Sequence, residues 1–158
     1  MRRKEAFKFI NPGLLRDGDL TVALVKKSPA NPAKGYVPSY EFELRRRGRR
    51  QALGAVRLRI ASAAKLRYPG HIGYEVKERF RGRRYAARAC RLLLPLALAH
   101  GLKAVWLSVR PGNIPSCRTC EILGAQYRGT VRIPAAHEMC LSGKPYVRRY
   151  RLITAPGL

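Results

Sequence analysis

Acidic residues are scarce in this chain of 158 residues, where nine aspartates and glutamates stand against 33 lysines and arginines. The shortage excludes a surface of balanced charge, and the formal net charge is +24. Such an imbalance creates a long-range field that attracts polyanions, anionic membrane surfaces and phosphate-bearing ligands. Charge alone does not choose among these partners, so the choice has to come from motifs.

Cysteine is scarce as well, with only Cys90, Cys117, Cys120 and Cys140 in the chain. Four clustered cysteines are too few for a disulfide framework at this length, which indicates thiols in a reducing compartment. Cys117 and Cys120 have the spacing of a zinc or redox motif. Structural zinc requires four ligands, however, and no second paired motif exists among four cysteines and three histidines. We therefore predict no metal site.

Long apolar runs are absent too. No window reaches the roughly 18 consecutive apolar residues that a membrane span requires, and the start MRRKEAFKFINPG has charge without an apolar signal core behind it. We therefore expect no membrane insertion and a cytoplasmic location. The hydrophobic fraction of 46% supports a buried core, and the length suits one domain over residues 1–158.

Short segments of alternating or β-branched apolar residues predict four strands in the first half of the chain. They cover residues 20–26, 40–46, 52–60 and 71–77. Residues 28–39 are rich in proline and small residues and predict a loop, and Gly48 suits the tip of a basic hairpin over residues 45–50. In the fourth strand, alternation places His71, Gly73 and Glu75 on one face and Ile72, Tyr74 and Val76 on the other.

The second half of the chain changes to a helical period between residues 84 and 100, where Tyr85, Ala89, Leu92, Leu93, Leu96 and Ala99 would form a buried stripe. Pro95 should kink this helix. A strand over residues 103–110 follows, and Asn113 and Gly124 bound a short helix as its cap and its stop. Alternating segments at 124–133 and 146–153 predict a final strand hairpin within residues 124–153.

The segment Arg81-Gly82-Arg83-Arg84-Tyr85-Ala86 lies between the strand ending in Val76 and the long helix. A helix start presents unpaired backbone N–H groups and the positive end of the helix dipole. Gly82 and Ala86 would let a phosphate approach the backbone closely, and the arginines would pair with it. This arrangement predicts a pyrophosphate site.

With this loop followed by Asn113, Ser116 and the turn Leu123-Gly124-Ala125, residues 54–128 resemble the GNAT superfamily of acetyl-CoA-dependent N-acetyltransferases. The resemblance implies an α/β (α+β) fold with a central mixed, mostly antiparallel twisted sheet flanked by helices. It also implies an acetyl-CoA cosubstrate, a primary amine as acceptor, direct attack in a ternary complex, and a possible homodimer. The loop departs from the family at Arg84, where a glycine is usual.

The resemblance assigns the cofactor to one set of residues: Tyr74, Glu75, Val76, Arg81, Gly82, Arg83, Arg84, Tyr85, Ala86, Asn113 and Ser116. Pantetheine would pair with the backbone of residues 74–76, and the Val76 N–H would stabilise the oxyanion that forms when the amine attacks. Asn113 would contact the pantetheine arm.

Three residues are candidates for proton transfer. Glu75 and His71 share a strand face beside the expected thioester, so either could act as the general base, although Glu75 could instead pair with an arginine. The family often has a tyrosine acid seven residues after the asparagine, and this chain has Cys120 there. A thiol could protonate the departing CoA, or Cys120 could be a buried apolar residue of the core.

The arginine clusters at residues 45–50 and 148–151 leave a second function open. They could be solvated faces, or they could neutralise nucleic-acid phosphates. The alternative hypothesis is therefore a basic nucleic-acid-binding protein on a catalytically weak or inactive acetyltransferase scaffold. Residues 27–39 and 134–145, which should shape the acceptor pocket, contain no recognised motif.

Overall fold

One mixed sheet and two helices make up the protein in a computed structural model that describes residues 6–140 and 143–155. The strands are β1 (Leu15–Asp17), β2 (Leu20–Ser28), β3 (Ser39–Arg46), β4 (Ala52–Arg59), β5 (Ile72–Val76), β6 (Ala104–Val109), β7 (Gln126–Arg132) and β8 (Tyr146–Ile153). The helices are α1 (Tyr85–Ala99) and α2 (Ile114–Leu123), and short 3-10 turns occupy Pro32–Lys34 and Glu78–Phe80.

The sheet order is β1-β2-β3-β4-β5-β6-β8-β7, and neighbouring strands are antiparallel except for the parallel pair β5 and β6. The predicted fold class is confirmed. Each predicted strand and helix is present within a few residues of its expected bounds. The strand β1 was not predicted, because three residues are too few to show a period of two.

The two helices pack on the same side of the sheet, which we call the helix face. Apolar side chains such as Phe42, Leu58 and Leu107 point to that side and are buried there. The opposite side, the open face, presents their strand neighbours, among them the exposed Arg57 and Glu75. Between β2 and β3 the chain forms a loop at residues 29–38 with one 3-10 turn and no α-helix. No helix from this segment therefore covers the open face.

The helix α1 differs from its prediction in two details. Ala99 is exposed and Leu92 only half-buried, whereas Cys90 and Ala97 are buried. The buried surface is rotated relative to the predicted stripe because α1 contacts α2 as well as the sheet. Pro95 lies inside the helix, which continues to Ala99 although the proline lacks an N–H to bond the preceding turn.

Arg88 fastens α1 to the turn between β1 and β2. Its Nε donates to the Asp17 carboxylate at 2.8 Å, and its Nη2 donates to the Asp19 carboxylate at 2.8 Å. These partners raise the pKa of Arg88, and the Arg88 hydrogen bond lowers the pKa of Asp19. Arg88 thus holds the edge of the sheet against the helix that bears the predicted phosphate site.

Candidate active site

The parallel strands β5 and β6 separate almost as soon as they meet. Their one registered pair among the described residues is Ile72 with Leu107. On its other edge, β5 stays paired with β4 from Ile72 to Val76. A gap therefore opens beside the last residues of β5, at the position where the sequence places the thioester.

The backbone of β5 presents polar groups to this gap. The Lys77 N–H donates to the carbonyl of Leu53 in β4 at 2.9 Å. Because an antiparallel pair alternates, Glu75 then also points its backbone groups at β4, whereas Tyr74 and Val76 point theirs away from β4 and into the gap. Arg81 Nε donates to the Val76 carbonyl at 3.0 Å. The Val76 N–H faces the same gap.

The start of α1 is built to receive an anion. Gly82 has φ +88° and Arg84 has φ +60°, which turn the chain sharply into the helix. No side chain caps the N-terminus of α1, and its first turn contains no acidic residue. The first N–H groups of the helix are therefore available to a ligand, and the dipole favours a negative one.

A cavity of about 680 Å³ joins the gap to the start of α1. Every residue predicted to bind the cofactor lines this cavity except Arg83, whose side chain lies outside it. The structure thus brings together residues that are up to 42 positions apart, as Tyr74 and Ser116 are. Their individual roles toward a cofactor stay predictions.

Helix α2 forms the second wall of the cavity. The Asn113 side-chain oxygen accepts a hydrogen bond from the Ser116 N–H at 3.2 Å, so Asn113 caps α2 as predicted. The Ser116 hydroxyl lies 2.6 Å from the Tyr74 hydroxyl, and the Tyr74 hydroxyl also donates to the Ser116 carbonyl at 3.1 Å. This link ties β5 to α2 across the gap, and burial raises the pKa of Tyr74.

Cys120 lies behind this link, with its thiol beside the Tyr74 hydroxyl. Its side chain is fully buried and does not line the cavity. Burial raises the pKa of the thiol to about 12. A proton on such a group is both shielded and weakly acidic, so the geometry favours the packing interpretation of Cys120 that the sequence left open.

His71 has both ring nitrogens engaged. The Trp106 N–H donates to Nδ1 at 3.0 Å, so Nε2 carries the proton and donates to the Ala61 carbonyl at 2.9 Å. The residue is buried, and burial lowers its pKa. With no lone pair left for an incoming proton, the imidazole joins β5 to β6 and the loop after β4.

Glu75 is exposed and lines the cavity at the gap. Within the described part of the chain its carboxylate forms no ion pair, whereas Glu41 and Glu43 pair with Arg57 and Arg45. The arginine pairing that would have explained Glu75 is thus not observed. Among the residues that line the cavity, Glu75 is the one with a carboxylate that could accept a proton.

Several lining residues were missed from the sequence: Phe80, Gly112, Pro115, Arg118, Thr119 and Ile122. Pro115, Thr119 and Ile122 follow each other at steps of four and three along α2. Helical periodicity counted from Ser116 would have placed them on the same wall. For Phe80 no motif gives a comparable signal.

Two further findings concern cofactors and membranes. In the ranges 6–140 and 143–155, no group of three or more His, Cys, Asp or Glu side chains could hold a metal ion. No helix among the same residues is long and apolar enough to cross a membrane.

The positive φ of Arg84 leads to a prediction about stability and affinity. A non-glycine residue in the left-handed region costs about 1–2 kcal/mol, so Arg84→Gly should be about 1 kcal/mol more stable than Arg84→Ala. Both variants should bind CoA about tenfold more weakly than the wild type if the guanidinium holds a phosphate. Urea denaturation and calorimetry measure the two effects, and unchanged CoA affinity would remove Arg84 from the phosphate site.

Comparisons with known proteins agree with this geometry. A family model described as "Acetyltransferase (GNAT) domain" matches residues 3–126. No curated protein sequence matches the chain significantly.

Three solved structures illustrate the likeness of fold. One, a probable acetyltransferase, is 23% identical with a TM-score of 0.59, over 73% of this chain and 61% of that protein's length. A ribosomal-protein-S5-alanine acetyltransferase from Vibrio fischeri is 13% identical with a TM-score of 0.66, over 89% of this chain and 96% of the other. A ribosomal L7/L12 alpha-N-protein acetyltransferase in complex with coenzyme A is 12% identical with a TM-score of 0.64, over 89% and 97%.

Proposed function

This chain belongs to the GNAT acetyltransferase family, and from that premise we propose that it transfers an acetyl group from acetyl-CoA to a primary amine by direct attack in a ternary complex. The observation that carries the proposal is the single cavity of about 680 Å³ that joins the β5–β6 gap to the uncapped start of α1. A thioester and a pyrophosphate need these two features side by side.

The residues present fit acetyl-CoA. The first N–H groups of α1, with Arg81 and Arg84, would hold the pyrophosphate. The backbone of Tyr74 and Val76 points into the gap and would pair with pantetheine. When bound, acetyl-CoA supplies the activated acetyl group.

The Val76 N–H would donate to the thioester oxygen and stabilise the negative charge that develops there during attack. Its direction into the gap follows from the β4–β5 register. Removing one such donor typically costs on the order of 100-fold in rate. A main-chain donor requires no particular side chain. The sequence therefore indicates the Val76 N–H only through the position of Val76 before the loop.

We assign the general base to Glu75, which lines the cavity and whose carboxylate forms no ion pair within the described residues. His71 lacks a free ring nitrogen, and Cys120 lies outside the cavity, so neither is carried into the mechanism. The amine would lose its proton to Glu75, and the CoA thiolate would leave into the solvent-connected cavity.

A free-thiol release assay over a broad panel of primary amines tests the proposal. At least one amine should release CoA faster than acetyl-CoA hydrolyses alone, and the product should carry one added acetyl group by mass spectrometry. Absence of acetyl transfer to any amine, in a sample that binds acetyl-CoA, would contradict it.

A second candidate function, nucleic-acid binding on the same scaffold, is favoured by one set of contacts. Arg46 and Arg79 both lie over the Phe80 ring, with guanidinium carbons 5.7 and 4.7 Å from its centroid. Phe80 therefore joins the hairpin tip at residues 45–50 to the arginine-rich loop before α1. Across the described residues, ion pairs engage only Arg45, Arg57 and Arg88 among the many basic side chains.

If this surface neutralises phosphates, structured RNA or duplex DNA should bind with an affinity that falls steeply as salt increases. The double variant Arg46→Gln/Arg79→Gln should lower the slope of log K against log salt by about 2 in magnitude. Filter binding across a salt series measures both quantities. Binding that is absent at low salt, or insensitive to salt, would eliminate this second function.

A further inference from the structure

A large cleft occupies the open face of the sheet, on the side away from α1 and α2. Its volume is about 1320 Å³, and its walls come from the loop at residues 28–38, the loop after β4 and the segment 137–139. The floor includes Ile72, Gly73 and Ser108. This floor reaches the point where β5 and β6 separate.

The cleft and the predicted cofactor cavity therefore meet along one strand. The cofactor cavity is lined by residues 74–76 of β5. The cleft is lined by the two residues before them, Ile72 and Gly73. On a strand, residues two apart on the same face are about 7 Å from each other. An acceptor lying in the cleft could thus place its amine at Glu75 while a neighbouring group rests over Gly73.

Arg59 places a positive charge over this floor. One of its terminal guanidinium nitrogens lies 3.6 Å from the position that a Cβ on Gly73 would occupy. In the part of the chain that the structure describes, the guanidinium makes no ion pair, since Glu41 is held by Arg57. Glu138 acts on Arg59 through its charge without forming a salt bridge. Burial and the neighbouring Arg57 lower the pKa of Arg59, against the smaller opposing effects of Glu138 and Glu41.

Arg149 gives an independent indication on the neighbouring strands. It pairs in register with Ser108, and its guanidinium carbon lies 4.1 Å from the centroid of the Trp106 ring. Its Nε is buried and has no hydrogen-bond partner among the described residues. Burial and the charge of Arg67 lower the pKa of Arg149, and Tyr68 acts in the opposite direction. A buried donor without a partner is costly and indicates that a ligand completes the site.

The two arginines lie on the same face of the sheet, on strands β4 and β8. Gly73 and Ser108 lie one residue beyond the Ile72–Leu107 pair, and Arg149 lies opposite Ser108. Neighbouring strands are about 4.8 Å apart, so the side chains of Arg59 and Arg149 start from opposite sides of the β5–β6 floor. Arg149 lies over Trp106 and outside the cleft, whereas Arg59 lines the cleft, so the Arg59 guanidinium is the group that can receive a carboxylate there.

We infer that the open-face cleft binds the acceptor, and that Arg59 selects amines that carry a carboxylate about 7 Å from the nitrogen. A peptide whose amino terminus is followed by an acidic side chain has this spacing. The inference rests on the proposed acetyl transfer and adds the chemical class of the acceptor to it.

Three peptides that differ only at their second residue, which is aspartate, asparagine or lysine, test the selection. With the wild-type chain, kcat/KM for the aspartate peptide should exceed that for the asparagine peptide about tenfold, mainly through KM. Arg59→Gln should abolish this preference and leave the asparagine peptide unchanged. Arg59→Glu should favour the lysine peptide.

Lys65→Gln is the matched control, because it removes one positive charge from the rim of the same cleft. It should retain the preference for aspartate. Binding of acetyl-CoA, measured on every variant, shows that the fold is intact and reports on the proposed function separately. If acetyl-CoA binds but all three peptides react equally or none reacts, or if Arg59→Gln slows all of them alike, the inference is wrong while acetyl transfer still stands.

Discussion

Replacing Glu75 with glutamine is expected to lower kcat for acetyl transfer about 100-fold while leaving the KM for acetyl-CoA unchanged. Glutamine keeps the size of the side chain and the backbone pairing of β5 but cannot accept a proton from the amine. Glu75 lines the cavity, and its carboxylate is not committed to an ion pair in the described structure. Its loss should therefore affect chemistry and leave cofactor binding intact.

Glu78→Gln provides the control for this experiment. Glu78 is an exposed carboxylate three residues further along, outside the cavity. Glu78→Gln removes the same charge from the same region as Glu75→Gln. It should leave kcat within about twofold of the wild type, as expected for a solvated surface group. Steady-state rates at saturating acetyl-CoA measure both variants. If Glu75→Gln were as active as Glu78→Gln, water or another group would have to be the base.

Introducing a methyl group at Gly54 is expected to destabilise the fold by about 3 kcal/mol and to weaken acetyl-CoA binding at the same time. A Cβ at this position would lie 2.1 Å from the Glu75 carbonyl oxygen and 2.9 Å from the Val76 Cα. Both are main-chain atoms, so β4 and β5 would have to separate. The separation would fall at the backbone groups that face the thioester.

Gly73→Ala is the matched substitution on the neighbouring strand. Its Cβ would meet only Arg59, at an ordinary contact distance of 3.6 Å. Its free energy of unfolding should equal or slightly exceed that of the wild type, since alanine costs less conformational entropy than glycine in a strand. Urea denaturation measures the free energies of unfolding of Gly54→Ala and Gly73→Ala for this comparison. Equal stability of Gly54→Ala and Gly73→Ala would show that β4 and β5 are not held together at this point.

The predicted phosphate loop and the α2 cap show what local sequence can determine. Gly82 has a positive φ, and Asn113 accepts the predicted capping hydrogen bond. Both depend on residues within a few positions of each other, which is the range over which turn and cap chemistry acts. The spacing of apolar residues in strands and helices likewise reflects burial of one face of each element. That spacing correctly predicted the order of the elements.

The remaining features depend on contacts between distant segments. Arg88 reaches Asp17 over 71 positions, and Tyr74 reaches Ser116 over 42. No spacing rule in the sequence connects such residues. The burial of Cys120 and the two hydrogen bonds of His71 have the same origin, because only the assembled sheet places Tyr74, Ala61 and Trp106 around them.

Arg84 is the residue where local sequence and assembled structure meet. It has the only positive φ of a non-glycine residue in the described ranges, at a position where the resembling family usually has glycine. The backbone thus keeps the conformation that suits a phosphate while the side chain adds a charge beside it. The strain of about 1–2 kcal/mol is offset if the guanidinium contributes to cofactor binding.

Isothermal titration calorimetry of the full chain with acetyl-CoA tests most directly whether the cavity at the start of α1 is a cofactor site. One equivalent should bind with a Kd below about 1 mM, as for a typical enzyme substrate, and Arg84→Ala should weaken it. A folded wild-type sample that gives no binding to acetyl-CoA or CoA at millimolar concentration would contradict the assignment.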